Sequence, residues 1–221
     1  MPENRTDKKA LLKILVTAGP TLEPIDPVRY ISNRSTGEAG YAIARAAEAR
    51  GFEVCLITGP VSLVAPQGVE TVKVTTAIEM RDRVMERVEK YDCLIMAAAV
   101  CDFRPEKEEE NKIKKTEELT LRLTKNPDIL SEVGTREGLI KVGFALETEK
   151  LEENASAKLK AKDLDLIVVN AKTPENDPFG PEKAGGFEYA IIDRECKKTE
   201  FTGLSKEQIA EEIISRVANL R

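Results

Sequence analysis

A recurring run of apolar residues, each followed by an amphipathic stretch, restricts this chain more than any other feature. Lys13 to Ala18 (KILVTA) is continuously apolar, as in a strand buried on both faces of a parallel sheet. Val54 to Thr58 is a second such strand, ended by Gly59-Pro60, and Thr71 to Thr75 a third; Cys93 to Val100 is the fourth. Between them, Gly37 to Arg50 carries Ala39, Ala42, Ile43 and Ala46 at helical spacing, with Ser35 or Thr36 as cap. Ala77 to Lys90 repeats the pattern with Met80, Val84 and Val88 as its stripe, and Thr76 and Glu79 spaced as a capping box. Strand–helix–strand order at this pitch predicts an α/β fold, Rossmann-like and doubly wound, with right-handed crossovers.

The later chain extends the pattern. Leu119 to Leu123 alternates like a strand, and Asn126-Pro127-Asp128 opens a short helix with Pro127 in its first turn. Lys141 to Leu146 and Leu164 to Asn170 are strands separated by a helix from Lys150 to Lys162. Phe187 to Asp193 and Thr199 to Phe201 form a late β-hairpin. Ser205 and Gln208 open a C-terminal helix with Ile209, Ile213, Val217 and Leu220 on one face. Thr173 to Gly186, rich in Pro and Gly, is the clearest long loop. With neither repeats nor a low-complexity linker, the expectation is a polar leader over residues 1–9 and a single domain over 10–221, its sheet mostly parallel.

Composition narrows the chemistry. The 221 residues include no histidine, which removes Ser–His and Cys–His nucleophile pairs and histidine general bases. Acid–base work falls to Lys, Asp, Glu, Cys or the substrate. The 4 cysteines lack CxxC spacing and read as reduced, packed thiols rather than a metal or redox site. A net charge of −5 offers no general attraction to nucleic acid or an anionic membrane. No apolar run approaches membrane-spanning length, and Met1 to Lys9 has no signal-peptide core, so the expected location is the cytoplasm.

Ligands of open α/β sheets bind beyond the carboxyl ends of the strands, where three segments fall. In the first, "PIDPVRYISNRSTGEAG", Gly37 and Gly40 open a helix whose free N–H groups suit a phosphate or carboxylate, and Asn33 can donate its amide to an oxyanion. An ordinary Ser/Thr cap accounts for the same residues. The second supplies Asp102, a charge run, then Lys112, Lys114 and Lys115: a phosphate clamp or a solvated loop. The third is Lys125 to Ile129. On the helix from Lys150 to Lys162, Lys158 and Lys162 interrupt the apolar stripe of Leu151, Ala155 and Leu159. They either snorkel past an edge or face an anion in a cleft.

Together, "AGPTLEPIDPVRYISNRSTGEAG", "GPVSL", "AAAVCDFRP", "KIKK", "KNPDIL", "VGFALET" and "KLKAKDLDLIVVN" resemble phosphopantothenoylcysteine synthetase, the ligase domain of coenzyme A biosynthesis, in order from Lys13 to Leu220. The resemblance implies a two-step ligation with Mg²⁺ (or Mn²⁺) bridging the triphosphate oxygens. The carboxylate of 4′-phosphopantothenate attacks CTP to give an acyl-cytidylate and pyrophosphate. The amine of L-cysteine then expels CMP. By motif, Asn33 matches the asparagine associated with the acyl-cytidylate. Lys112 matches the lysine on the nucleotide phosphates, carried by a flap over residues 103–115. Asp102, Asn126, Pro127, Asp128, Ile129, Phe144, Lys158 and Lys162 match nucleotide-binding positions; Ser35, Thr36 and Gly37 are phosphate or anion-binding candidates. No residue is assigned to the metal.

The resemblance further implies a homodimer, with the late hairpin a place to look for the interface. It also implies fusion to, or association with, a flavin-dependent decarboxylase domain in longer relatives, this chain being a lone or excised ligase domain. Two departures stand out: Glu38 where many relatives have lysine, and Cys101 where alanine is common. The eukaryotic branch uses ATP. An NAD(P)-dependent reductase is disfavoured because the segment is not G-x-G-x-x-G and lacks an acidic ribose reader. A non-catalytic nucleotide-binding module is the remaining alternative.

Overall fold

The structure, a computed structural model, describes residues 11–147, 151–171, 177, 179 and 186–221. Its centre is an eight-stranded sheet. Strand β1 (Lys13–Ala18) is followed by a two-stranded ribbon of β2 (Leu22–Pro24) and β3 (Tyr30–Ser32), then helix α1 (Glu38–Ala49) and β4 (Glu53–Thr58). Strand β5 (Glu70–Lys73) precedes α2 (Ala77–Arg87), which tightens into a 3₁₀ turn at Val88–Lys90. Next come β6 (Cys93–Met96), a ribbon of β7 (Phe103–Pro105) and β8 (Leu123–Lys125), and the short α3 (Ile129–Val133). Strand β9 (Ile140–Glu147), α4 (Leu151–Ala161), β10 (Leu166–Ala171), the hairpin β11 (Phe187–Asp193) and β12 (Lys198–Leu204), and α5 (Lys206–Asn219) complete the chain.

The sheet order is β12-β11-β10-β9-β6-β1-β4-β5. From β5 to β10 every pairing is parallel, and β11 and β12 are antiparallel. Numbered by themselves, the parallel strands run 3-2-1-4-5-6, the doubly wound dinucleotide-fold order, which reverses direction between β1 and β6. Alternate side chains feed two cores. Ile14, Val16 and Ala18 pack with α1 and α5, while Leu15, Ile57 and Leu94 pack with α2, α3 and α4. Burial on both faces is why these strands are continuously apolar.

The principal elements match the sequence expectations, with differences at the ends. Cys93 to Val100 is strand only to Met96. Beyond it the chain turns to meet the β1 loop, where Ala99 N–H donates to Gly19 O at 2.9 Å and Thr21 N–H to Ala99 O at 3.3 Å. Leu119 to Leu123 is not a strand: Leu119, Leu121 and Leu123 are all exposed, and pairing with β7 begins only at Leu123. Pro127 precedes α3 instead of lying in its first turn, because Asp128 is the cap, accepting from Ser131 N–H. The Thr76 hydroxyl caps α2 by accepting from Glu79 N–H at 3.1 Å, but the Glu79 carboxylate reaches back to Thr75 N–H, one residue beyond a capping box. Leu220 lies past α5 and is exposed. Most of Thr173 to Gly186 and the 1–9 leader lie outside the described residues.

The expected cap of α1 is also corrected. Neither Ser35 nor Thr36 caps it; Gly37 does, at φ +83°, with no side-chain hydrogen bond to the helix. Only glycine adopts this φ without strain. Gly40 serves a different end: a Cβ there would lie 2.5 Å from the Ala18 Cβ, so its absence lets α1 sit directly on β1 beside the reversal point.

Candidate functional site

A cleft of about 530 Å³ opens over the carboxyl ends of β6, β9 and β10 and the start of α1, at the reversal of strand order. One limb reaches over the α1 and α5 face of the sheet, the other over the α3 and α4 face. A second depression of about 650 Å³ lies between α4 and the β11–β12 hairpin. Its lysine, Lys198, is already paired with Glu152 and Glu200, so it directs no cation inward.

On the α1 side, Ser35, Thr36 and Gly37 line the cleft. Ser35 Oγ accepts from Gly37 N–H at 3.2 Å, and no side chain caps the amides that follow. Those first-turn N–H groups, at the positive end of a 12-residue helix, suit an anion. Asn33 also lines the cleft, but its amide donates to Ala99 O at 3.0 Å and Val100 O at 3.2 Å. Both amide hydrogens are engaged, so what Asn33 offers a ligand is the acceptor Oδ1 and not the expected donor.

On the α3 side, Asp102, Asn126, Pro127, Asp128, Ile129, Lys158 and Lys162 converge on the cleft, while Phe144, also lining it, packs on the α1 and α5 side of the sheet. Asn126 is buried and works as a strap. Its Nδ2 donates to Cys101 O at 2.8 Å, and its Oδ1 accepts from Arg104 at 3.0 Å. It holds the β6 loop against the start of α3. Lys158 Nζ donates to Phe144 O at 2.7 Å, at the end of β9. Lys162 Nζ is ion-paired with Asp128 and bonded to Ser131 Oγ. Burial pushes the Asp128 carboxyl up, but the hydrogen bonds from Lys162 and the Ser131 amide outweigh it and hold the carboxyl below its usual value. Both interrupting lysines therefore point at the cleft, as one of the two sequence readings required.

Lys112 is placed differently: it is exposed and does not line the cleft. The next residue is tethered. Ile113 N–H donates to buried Asp26 at 3.1 Å, and Ile113 O accepts from Arg29 at 3.0 Å. Asp26 also takes the amides of Val28 and Arg29, each at 2.9 Å. The charged stretch is thus pinned to the β2–β3 turn one residue past Lys112. Cys101 lines the cleft as a buried thiol whose pKa burial pushes up, which suits packing and not nucleophilic attack.

Three residues with consequences here escaped the sequence reading. Asn170, next to last in β10, lines the cleft, and its Oδ1 is buried without a partner among the described residues. An amide closing the apolar run LIVVN, where ligands bind, was the available signal. Lys206 lines the α1 side. Lys141 is 1% exposed, and its Nζ donates to Gly134 O at 2.8 Å and Lys162 O at 3.0 Å. It ties the C-terminal end of α3, at Gly134, to Lys162, the residue that follows α4.

The fold and cleft define a Rossmann-like α/β domain with lysines and uncapped helix amides at its switch point. This chain belongs to the family of the DNA/pantothenate metabolism flavoprotein C-terminal domain, whose model matches residues 10–220. It is 48% identical over 177 residues to the coenzyme A biosynthesis bifunctional protein CoaBC of Escherichia coli (strain K12), covering 77% of this chain and 44% of that protein. The CoaBC of Bacillus subtilis (strain 168) is 41% identical over 210 residues, covering 94% of this chain and 51% of that protein. The chain thus spans about half the length of the curated relatives it matches. Among solved structures, the C-terminal domain of a CoaBC bifunctional protein superposes with TM-score 0.81 at 33% identity, covering 95% of both chains.

Proposed function

We propose that this domain is a phosphopantothenate–cysteine ligase of coenzyme A biosynthesis, activating 4′-phosphopantothenate with CTP and passing the acyl group to L-cysteine. Family membership over residues 10–220 carries the reading, and the chemistry of the cleft agrees with it. Both nucleophiles, a carboxylate and an amine, belong to substrates, so a histidine-free site with a protonated cysteine lacks nothing it needs. Its task is to align reactants and neutralise phosphate charge. In this reading the nucleotide lies along Asp102, Pro127 to Ile129, Phe144, Lys158 and Lys162, and a phosphate meets the amides of α1. Lys112 approaches from the tethered stretch, and Asn33 Oδ1 accepts a hydrogen bond from the attacking amine, orienting it.

Among the described residues no group of three or more metal-ligating side chains occurs. Asp102, an exposed carboxylate that lines the cleft, would meet Mg²⁺ carried by the triphosphate. The ion would supply charge neutralisation of the phosphates. The domain works in the cytoplasm as a homodimer, in some relatives fused to a flavin-dependent decarboxylase. No helix among the described residues is long and apolar enough to cross a membrane.

The test is pyrophosphate release with Mg²⁺, requiring CTP and 4′-phosphopantothenate together, with ATP run in parallel. Release with neither nucleotide from folded protein overturns the ligase reading; release with ATP alone overturns the choice of CTP.

A further inference from the structure

We propose that Lys206 is an anion-binding residue of the cleft and Glu38 its internal counter-ion, so that a ligand phosphate binds by displacing the Glu38 carboxylate. This rests on the cleft receiving phosphorylated substrates. The placement of Lys206 is costly on two counts. It is the first residue of α5, at the positive end of the helix, where a cation is disfavoured. It is also only 6% exposed, and burying an ammonium is expensive unless it is paired. Capping does not require it, since Ser205 and Gln208 complete the capping box themselves.

Its surroundings supply a reason. The ammonium is ion-paired with Glu38 and lies 5.0 Å from the centroid of the Phe187 ring. The pair is asymmetric: the Lys206 side chain is 7% exposed and that of Glu38 44%. The cation is therefore fixed inside, and the carboxylate stands at the opening. An arriving phosphate can take the place of the carboxylate, which swings into water, and at no stage is the buried ammonium left unpaired. Glu38 is also the first residue of α1, so the exchange brings the phosphate to the uncapped amides. The orphaned Asn170 Oδ1 lines the same cleft and can accept from a ligand hydroxyl or amide. Glu38 then acts as a brake on affinity, because every binding event must break its ion pair.

The experiment is a double-mutant cycle on the intact chain, reading the Kd of CTP and, separately, of 4′-phosphopantothenate by calorimetry. Glu38→Gln should tighten binding of one ligand roughly fivefold by freeing the ammonium. Lys206→Met should weaken the same ligand about tenfold or more. In the double variant the gain from Glu38→Gln should vanish, because Glu38 acts through Lys206. The ligand that responds identifies the phosphate concerned. An equal gain in both backgrounds, or unchanged affinity in Lys206→Met, overturns the assignment. Wild-type protein that binds neither ligand overturns the functional reading, and this assignment with it. Should Lys206→Met not fold, Glu38→Gln alone decides: its tightening must shrink as salt rises, and no tightening refutes the exchange.

Discussion

Replacing Lys162 by methionine tests the α4 side of the cleft most directly, because the structure gives both sides of the energy balance. The Lys162 side chain is 22% exposed and that of its partner Asp128 41%. An ion pair this open contributes about 0.3–1 kcal/mol after screening. A charge-assisted hydrogen bond from lysine to a nucleotide phosphate contributes about 1.5–3 kcal/mol. Lys162 must leave Asp128 to make the second bond, so only the difference, about 0.5–2.7 kcal/mol, appears as affinity. Lys162→Met should therefore raise the KM for CTP by more than about twofold and up to roughly 100-fold, with a smaller change in kcat. The assay is initial-rate pyrophosphate release against CTP, at saturating 4′-phosphopantothenate and Mg²⁺. Loss of the pair should also lower the melting temperature by about 1–4 °C. A KM within a factor of about two of wild type, in a variant that folds, would refute the claim that Lys162 meets the nucleotide.

Lys112→Gln should cut pyrophosphate release by about two to three orders of magnitude while leaving the thermal melt unchanged, since Lys112 is exposed; near-normal release would remove it from catalysis. The tether at Asp26 predicts acid lability. The Arg29 guanidinium, followed by the amides of Val28, Ile113 and Arg29, holds the Asp26 carboxyl well below its usual value, against the upward push of burial. A carboxyl depressed in this way stabilises the fold above its unfolded value near about 3.9, and that stability is lost as pH falls below it. Asp26→Asn should lower stability at neutral pH and flatten the acid limb of a denaturant titration below about pH 4; curves parallel to wild type would contradict the tether. Gly40→Ala places a methyl group 2.5 Å from the Ala18 Cβ and should destabilise by about 1–3 kcal/mol in chemical denaturation, whereas an unchanged midpoint would show that α1 can back away from β1 freely.

The strands of the sheet and the bodies of its helices were legible in the sequence because their cause is local. Ile14 to Ala18 is buried on both faces, and a chain with that demand announces it in consecutive residues. The ribbons β2–β3 and β7–β8 were not legible, because three-residue strands are too short to show a period, and their partners lie elsewhere in the chain. Leu119 to Leu123 misled for the opposite reason: its alternation is real, but the fold offers no surface for those leucines to cover.

The site divides along the same line. The interruption of an apolar stripe by Lys158 and Lys162 narrowed them to an exposed edge or a cleft, since helix periodicity places them on the packed face, and the structure decided for the cleft. Which groups they meet was not in the sequence, nor was the engagement of the Asn33 amide with Ala99 and Val100. The Lys206–Glu38 pair joins residues 168 positions apart, and Lys141 caps two helix ends that only the packing of α3 beside α4 brings together. Hydrophobic periodicity is a property of neighbours along the chain, so the sequence by itself determined the layers, the strands and the faces of the helices. The partner of a buried charge is a property of neighbours in space, so the tertiary structure alone decided that Lys162 and Lys206 each meet a carboxylate in the cleft.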